Sequence, residues 1–248
     1  MVLLVIIRHT LVMETIDPGK IFSLNPNYWT IREKKIGKSE NRIVVVHNFF
    51  ENPLAVKEYA ESLSYVNTIE GEISGTPGFI HRIGNGITNL QEPIIKLIMH
   101  SFNASNDFMV GWNKNKFTFQ SYDPLKSVRV MSLHPHVDNM RYAAVLSLNK
   151  DDEYMGDDNG TAFWRHTNRQ EEYISRDLNY RSKRMVNRPP VYVKLDPSAH
   201  IFDEWTRYHI EQHYFNSLIL YEGNMWHSPY FTASKWTTNR LTFNAFLD

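Results

Sequence analysis

Residues 240–247 alternate strictly between two kinds of side chain, a pattern that fits a β-strand and does not fit a helix. One face carries Arg240, Thr242, Asn244 and Phe246, and the other carries Leu241, Phe243, Ala245 and Leu247. Successive side chains of a strand point to opposite faces of its sheet, so the all-apolar face is predicted to pack in the core. Arg240 then points the other way, into whatever the sheet encloses.

Other short strands lead up to this one. Apolar and β-branched runs predict strands near residues 117–122, 128–133, 142–148, 161–164, 208–212, 218–221 and 226–231. Two predicted helices precede them. The expected fold is therefore mainly β with α (α+β), an antiparallel sandwich or barrel with N-terminal helices packed on its outer face.

Proline and glycine divide the first half of the chain into five predicted segments. They are a loose lead-in with one short strand (14–40), a buried strand (42–47), a helix (53–64), an irregular loop (70–87) and a second helix (92–102). Asn52 caps the first helix with Pro53 in its first turn, and Glu92-Pro93 opens the second.

The chain is predicted to form a single domain over residues 1–248. Its expected parts are a lead-in (1–40), a helical support (41–115) and a β core (116–248) with an insert at about 165–205. No internal repeat or linker interrupts these parts.

Composition excludes several classes of site. Cysteine is absent, which removes disulfides, thiol nucleophiles, iron–sulfur clusters and thiolate zinc sites. The 27 basic and 27 acidic side chains cancel, so no overall field recruits nucleic acid or an anionic membrane. Any bound metal must sit on nitrogen and oxygen ligands.

The first residues carry a short apolar run that lacks the basic lead of a secretory signal and is too short to span a bilayer. We therefore expect a cytoplasmic location. Residues 1–12 are either an over-extended start, with Met13 as the first residue, or an added strand.

The candidate metal ligands begin in the segment Leu133-His134-Pro135-His136-Val137-Asp138. On a strand, His136 and Asp138 point to the same side and can converge on one ion. His227, from a distant predicted strand, is the candidate third ligand. Two histidines and one carboxylate on one face of an octahedral ion leave three open positions, as in non-haem Fe(II) oxygenases.

Arg240 suggests an acidic ligand for the same cavity. A guanidinium held in a cavity needs a carboxylate, because an unpaired buried charge is costly and its planar fork suits bidentate pairing. A small dicarboxylate would supply that group, and the hydroxyl of Thr242 would add a hydrogen bond.

The ordered set His136-x-Asp138, His227 and Arg240-x-Thr242 resembles the Fe(II)- and 2-oxoglutarate-dependent dioxygenase superfamily. The resemblance covers roughly the second half of the chain. A weaker resemblance of the front helices points to the prolyl-hydroxylase-like branch. His-x-Asp alone occurs by chance in many proteins, whereas the ordered set with its closing Arg-x-Thr strand is fairly specific.

The resemblance implies a double-stranded β-helix, the jelly-roll or cupin-like barrel. It also implies that His136, Asp138 and His227 bind Fe(II), that 2-oxoglutarate chelates the metal with its far carboxylate on Arg240 and Thr242, and that O2 takes the last position. The implied activity is hydroxylation of a C–H bond with succinate and CO2 as co-products. An intact Asp138 favours hydroxylation over halogenation.

Each of these side chains also has a simpler interpretation. His134 and His136 could exchange roles if the strand stays regular. His227 alone would more often be a satisfied core histidine, and Arg240 could pair with a carboxylate of the protein itself.

Two further residues and one segment are open to interpretation. Tyr142 and Asn224 are candidates for contact with the co-substrate, although a strand tyrosine more often packs in the core. The basic stretch 176–194 is either a lid that attracts an anionic substrate or a solvated face.

Two other functions fit the same residues. One is a non-catalytic, cupin-like protein that binds a metal or a small acid; the other is a metal-dependent hydrolase or isomerase. Consumption of 2-oxoglutarate and O2 distinguishes an oxygenase from both. The expected partner is a small-molecule or peptide substrate rather than a membrane or nucleic acid, and the sequence leaves the oligomeric state open.

Overall fold

The computed structural model describes residues 21–67, 79–83, 88–104, 116–125, 128–129, 133–138, 140–175, 192–193 and 202–248. Within these ranges the protein is mostly β-sheet with two α-helices. The helices are α1 (Pro53–Ser62) and α2 (Thr88–Phe102). The strands are β1 (Thr30–Ile36), β2 (Asn41–His47), β3 (Val66–Asn67), β4 (Phe79–Ile83), β5 (Lys116–Tyr122), β6 (Val128–Arg129), β7 (Tyr142–Ser147), β8 (Gly160–His166), β9 (Tyr192–Val193), β10 (Trp205–Gln212), β11 (Ser217–Glu222), β12 (His227–Tyr230) and β13 (Arg240–Leu247).

The strands form a large sheet, a small sheet and a two-stranded ribbon. The large sheet has eight strands in the order β1-β2-β11-β7-β13-β5-β4-β3, the small sheet runs β10-β8-β12, and β6 pairs with β9. Strands from both halves of the chain share the large sheet. The predicted lead-in and helical support are therefore not separate from the β core, because β1 to β4 extend its sheet at both ends.

The alternation in β13 decides which face of the large sheet packs in the core. Leu241, Phe243, Ala245 and Leu247 are buried in a cluster with residues of both helices, including Val56 and Ile94. The predicted apolar face and the predicted position of the helices are both confirmed.

The opposite face of the large sheet meets the small sheet. Phe163 of β8 lies edge-on against Tyr221 of β11, with ring centroids 5.3 Å apart. Arg240, Thr242 and Asn244 are buried on this inner face. The space between the two sheets, here called the cleft, therefore has a polar wall on β13.

Two predicted segments of the first half need correction. The segment predicted as an irregular loop contains β4, which pairs with β5 over five residues. Helix α2 begins at Thr88, four residues before the predicted opening at Glu92-Pro93, and Pro93 lies inside it. Leu90 explains the earlier start, because it is fully buried and its contribution to the core holds the first turn helical despite the proline.

Of the remaining predictions, the helix cap at Asn52 can be checked, whereas two segments lie outside the described residues. Asn52 caps α1 as predicted, with its Oδ1 accepting a hydrogen bond from the backbone N–H of Ala55 at 3.3 Å. Residues 1–12, and the basic stretch 176–194 apart from β9, lie outside the described residues. Among the described residues, no helix is both long enough and apolar enough to cross a bilayer.

A buried carboxylate ties the segment after β8 to the β1–β2 turn. Glu172 is 1% exposed and accepts hydrogen bonds from the backbone N–H groups of Lys38 (2.9 Å) and Ser39 (3.0 Å). It also pairs with the guanidinium of Arg165, whose Nε lies 2.8 Å from Oε1. Burial raises the pKa of Glu172, but these donors outweigh burial and hold the pKa below its usual value of 4.5.

We expect Glu172→Gln to lower the free energy of unfolding by about 3 kcal/mol at neutral pH, because it leaves Arg165 buried without its partner. A depressed pKa means that the carboxylate stabilises the fold fully above about pH 4.5, and that this stability is lost as the pH falls through the lower folded-state pKa. Urea unfolding between pH 6 and pH 3 measures both effects, and the variant should lose less stability than wild type as the pH falls.

Glu171→Gln is the matched control. Glu171 is exposed, and its contact with Arg169 lies at the surface. Its substitution should change stability by less than about 0.5 kcal/mol. Equal losses in the two variants would contradict the role assigned to Glu172.

Candidate metal centre

The segment carrying His136 and Asp138 is paired with the start of β12. The backbone N–H of His136 donates to the carbonyl of His227, and the N–H of His227 donates to the carbonyl of His136, each at 2.9 Å. This reciprocal pair places the two histidines side by side, with ring centroids 4.5 Å apart. The candidate ligand atoms of His136, Asp138 and His227 all lie within 4.8 Å of one another.

The turn between β11 and β12 fixes Asp138. Its backbone N–H donates to the carbonyl of Gly223 at 2.7 Å. A Cβ at Gly223 would lie 2.2 Å from the carbonyl oxygen of Met140, so this approach requires glycine. The predicted tight turn at Glu222-Gly223-Asn224 is confirmed, and it holds the Asp138 segment next to the start of β12 at His227.

Both histidines present the same nitrogen to the centre. Nδ1 of His136 lies 3.0 Å from the carbonyl of His134, and Nδ1 of His227 lies 2.9 Å from the carbonyl of Met225. A carbonyl only accepts hydrogen bonds, so each Nδ1 carries the proton and each Nε2 keeps its lone pair. This arrangement orients metal-binding imidazoles in proteins.

The third donor completes a site of nitrogen and oxygen atoms. Oδ2 of Asp138 lies 3.3 Å from Nε2 of His227. Tyr221 packs edge-on against the His227 ring with centroids 4.7 Å apart. Burial, followed by the charge of Asp138, raises the pKa of Tyr221 above its ordinary value, so this wall of the site stays uncharged. Two imidazoles and one carboxylate converging in this way suit a divalent transition metal.

The structure separates the two histidines of the His-Pro-His sequence. His134 packs against Phe202 and Trp205, with ring centroids 4.9 Å and 6.1 Å away. It lies outside the group formed by the candidate ligands. The ring of His136 instead lies against that of His227, and His136 is the histidine placed in the candidate centre.

Arg240 lies at the start of β13 and is 2% exposed. Its guanidinium carbon sits 4.8 Å from the centre of the Phe231 ring. Its Nε is buried with no hydrogen-bond partner. Among the residues that the structure describes, no carboxylate lies within ion-pair distance of Arg240. Within these residues, Arg240 therefore does not pair with a carboxylate of the protein itself. Burial lowers the pKa of Arg240 to about 10.

Strand β12 runs from the candidate metal ligands toward Arg240. His227 opens the strand, and Phe231, which contacts Arg240, follows four residues later. The ring of Phe231 contacts Tyr122, which pairs with Arg240, and the ring of His227 contacts Tyr221, so both side chains face the large sheet. Four residues of extended chain span about 13 Å. The candidate metal ligands and the buried guanidinium therefore line one cleft.

The other predicted contacts of a co-substrate differ in their placement. Thr242 is fully buried on the inner face, two residues from Arg240, and its Oγ1 accepts a hydrogen bond from Asn244 at 3.3 Å. Tyr142 pairs in register with Leu247 and packs against Phe102 at 5.1 Å, so it faces the helices. The prediction that Tyr142 reaches the co-substrate is wrong.

Asn224 lies in the turn before β12, and its contact with a co-substrate stays a prediction. Its amide nitrogen donates to the carbonyl of Ile174 at 2.8 Å, and its backbone carbonyl accepts from the N–H of Ile174 at 3.0 Å. These contacts bind the segment after β8 to the turn before β12. The structure therefore assigns Asn224 to the support of that turn.

Some residues of the cleft did not stand out in the sequence. Buried polar side chains continue the inner face from β13 onto its neighbouring strands β5 and β7, namely Thr118, Gln120 and Ser147. His213, just after β10, is also buried, and its Nε2 lies 3.0 Å from the hydroxyl oxygen of Thr161 on β8. The alternation of residues 117–122 could have predicted these positions, because polar residues on one face of a buried strand indicate that this face lines a cavity.

Solved structures similar to this chain include two prolyl 4-hydroxylases and a 2OG-Fe(II) oxygenase family protein. A prolyl-4-hydroxylase from Pseudomonas putida is 11% identical, with 88% of this chain and 91% of that chain covered and a TM-score of 0.41. A prolyl 4-hydroxylase from Phytophthora capsici is 11% identical, with 83% and 58% covered and a TM-score of 0.45. A 2OG-Fe(II) oxygenase family protein from Burkholderia pseudomallei is 12% identical, with 82% of each chain covered and a TM-score of 0.37. At this similarity, the activity has to be argued from the site itself.

Comparison with protein families gives a clearer assignment. No curated protein matches the chain. Residues 27–247, almost the whole described structure, match a single family model. The chain therefore belongs to DUF6445, a family of unknown function.

Proposed function

We propose that the protein is an Fe(II)- and 2-oxoglutarate-dependent oxygenase that hydroxylates a C–H bond of a small-molecule or peptide substrate. The observation that carries the proposal is the buried Arg240, whose Nε has no hydrogen-bond partner, in the same cleft as the group His136, Asp138 and His227. The proposal also takes the eight-stranded and three-stranded sheets as the two walls of a double-stranded β-helix.

The ligand set supports iron. Two imidazole nitrogens and one carboxylate, with no thiolate available in a chain without cysteine, are the facial set found in non-haem Fe(II) oxygenases. Such a set leaves three positions open, which allows a chelating co-substrate and O2 to bind together. A structural zinc site would instead close its coordination with a fourth protein ligand.

Arg240 supports a dicarboxylate as the co-substrate. Placing an arginine in a buried position without a carboxylate is unfavourable unless a ligand supplies the missing anion. An acid bound only to the metal would leave Arg240 unpaired. A 2-oxo acid with a second carboxylate satisfies both sites with one molecule, because one end chelates the metal and the other receives the guanidinium fork.

The residues of the chain then have defined tasks. His136, Asp138 and His227 would hold the iron, whose chemistry with 2-oxoglutarate and O2 supplies the oxidising power for hydroxylation. Arg240 and Thr242 orient the far carboxylate, which fixes the position of the 2-oxo end. Phe231 and Tyr221 exclude water from the cleft and keep the guanidinium and His227 in place.

An anaerobic titration tests the proposal. Bidentate chelation of Fe(II) by a 2-oxo acid produces a visible charge-transfer band, so the iron-loaded protein should develop this band as 2-oxoglutarate is added. Admission of O2 should then yield succinate and CO2. A protein that binds iron and develops no band at any 2-oxoglutarate concentration would instead be a metal-binding or hydrolytic protein.

A further inference from the structure

His213 is a buried histidine at the Arg240 end of the cleft. It is 8% exposed and follows β10 directly, where its backbone N–H donates to the carbonyl of Asn159 at 2.9 Å. The next residue, Gly160, pairs in register with Tyr230, which precedes Phe231. His213 and the ring that carries the guanidinium of Arg240 therefore lie at the same end of the small sheet.

The two ring nitrogens of His213 differ in their surroundings. Nε2 lies 3.0 Å from the hydroxyl oxygen of Thr161 on β8. Nδ1 is buried and has no hydrogen-bond partner. Burial, together with the charge of Arg240, lowers the pKa of His213, so the imidazole is neutral and has one N–H donor and one acceptor.

Thr161 is the residue that can determine which nitrogen carries the proton. If its hydroxyl donates to Nε2, the proton of the imidazole sits on Nδ1, and this buried N–H needs an acceptor. Arg240, the charged neighbour, has only donors to offer. Nδ1–H of His213 and the guanidinium of Arg240 lie at the same end of the cleft. One anionic ligand could accept hydrogen bonds from both groups.

We propose that His213 is a positioning residue that donates a hydrogen bond from Nδ1 to the carboxylate held by Arg240. This inference rests on the proposed function and adds to it a contact from the small sheet, opposite the contacts of Arg240 and Thr242 on the large sheet. The carboxylate would then be held from both walls of the cleft, which fixes its direction as well as its charge.

Two variants of the same residue test this role. In His213→Asn the amide nitrogen replaces Nδ1, and in His213→Gln it replaces Nε2 and leaves no donor at the Nδ1 position. We expect His213→Gln to weaken 2-oxoglutarate binding about tenfold, the effect of one lost hydrogen bond, and His213→Asn to stay within about threefold of wild type. The anaerobic charge-transfer titration measures both dissociation constants without turnover.

Pyruvate provides the control ligand, because it chelates iron but has no far carboxylate. Its dissociation constant should be the same in wild type and both variants. Equal weakening of pyruvate and 2-oxoglutarate, or equal loss in the asparagine and glutamine variants, would show a merely structural role and overturn the inference.

A measurement on the unaltered side chain keeps the inference testable if the variants do not fold. In the protein loaded with Zn(II) in place of iron, nitrogen-15 NMR of His213 should show the proton on Nδ1, with a shift of that resonance when 2-oxoglutarate binds. A proton on Nε2, or an unchanged resonance in the bound state, would contradict the proposal. Absence of 2-oxoglutarate binding to wild type would instead overturn the proposed function itself.

Discussion

Asp138→Ala should lower the affinity for Fe(II) by more than about 100-fold, beyond the 10- to 100-fold that loss of a supporting partner of a ligand costs. The substitution removes the only carboxylate of the group formed with His136 and His227. Two neutral imidazoles would remain, and they offer the cation no compensating charge. Equilibrium dialysis under anaerobic conditions measures the loss, and succinate formation should disappear with it.

His134→Phe is the matched control for this variant. The substitution keeps an aromatic ring against Phe202 and Trp205, so the packing on that side of the small sheet is preserved. Iron affinity should stay at the wild-type value. If His134→Phe lost iron while His136→Ala retained it, the assignment of the two histidines would be reversed.

Arg240→Met should have two opposite effects. It should weaken 2-oxoglutarate binding by at least about 100-fold, because a desolvated bidentate ion pair is lost. It should also stabilise the ligand-free protein by about 1–4 kcal/mol, because a methionine of similar length replaces a buried charge that pairs with no carboxylate of the described residues. Thermal unfolding with and without 2-oxoglutarate measures both effects, and wild type alone should be stabilised by the co-substrate.

Arg207→Met is the control for the aromatic contact. The guanidinium of Arg207 lies 4.3 Å from the centre of the Tyr230 ring, but this arginine is exposed. Its removal should change neither 2-oxoglutarate binding nor, beyond about 0.5 kcal/mol, stability. A strongly destabilised Arg240→Met that still bound 2-oxoglutarate would show that Arg240 serves the fold.

The sequence predicted those features that depend on local periodicity. The alternation of β13 gave the inward direction of Arg240, and the cap at Asn52 gave the first helix. The spacing of His136 and Asp138 gave the convergence of two candidate ligands, since both lie on one short extended segment. These features depend on neighbours within a few residues, which the sequence displays directly.

The misplaced residues depend on pairing between distant strands. Tyr142 faces the helices because it pairs in register with Leu247, and a shift of one residue would have turned it into the cleft. His213 lies beside the small sheet because it follows β10, an edge strand of that sheet. No local sequence pattern predicts to which sheet β10 belongs. Leu90 extends α2 ahead of Pro93 because the core needs its side chain, and that demand comes from residues far along the chain.

The two imidazoles of the candidate centre are oriented by main-chain carbonyls, those of His134 and Met225. No point mutation can delete a carbonyl, whereas a supporting aspartate or glutamate could be lost in one step. The orientation of His136 and His227 therefore does not depend on a hydrogen bond to another side chain. A substitution in the walls of the cleft can therefore change the surroundings of the candidate centre without removing the two acceptors that orient its histidines.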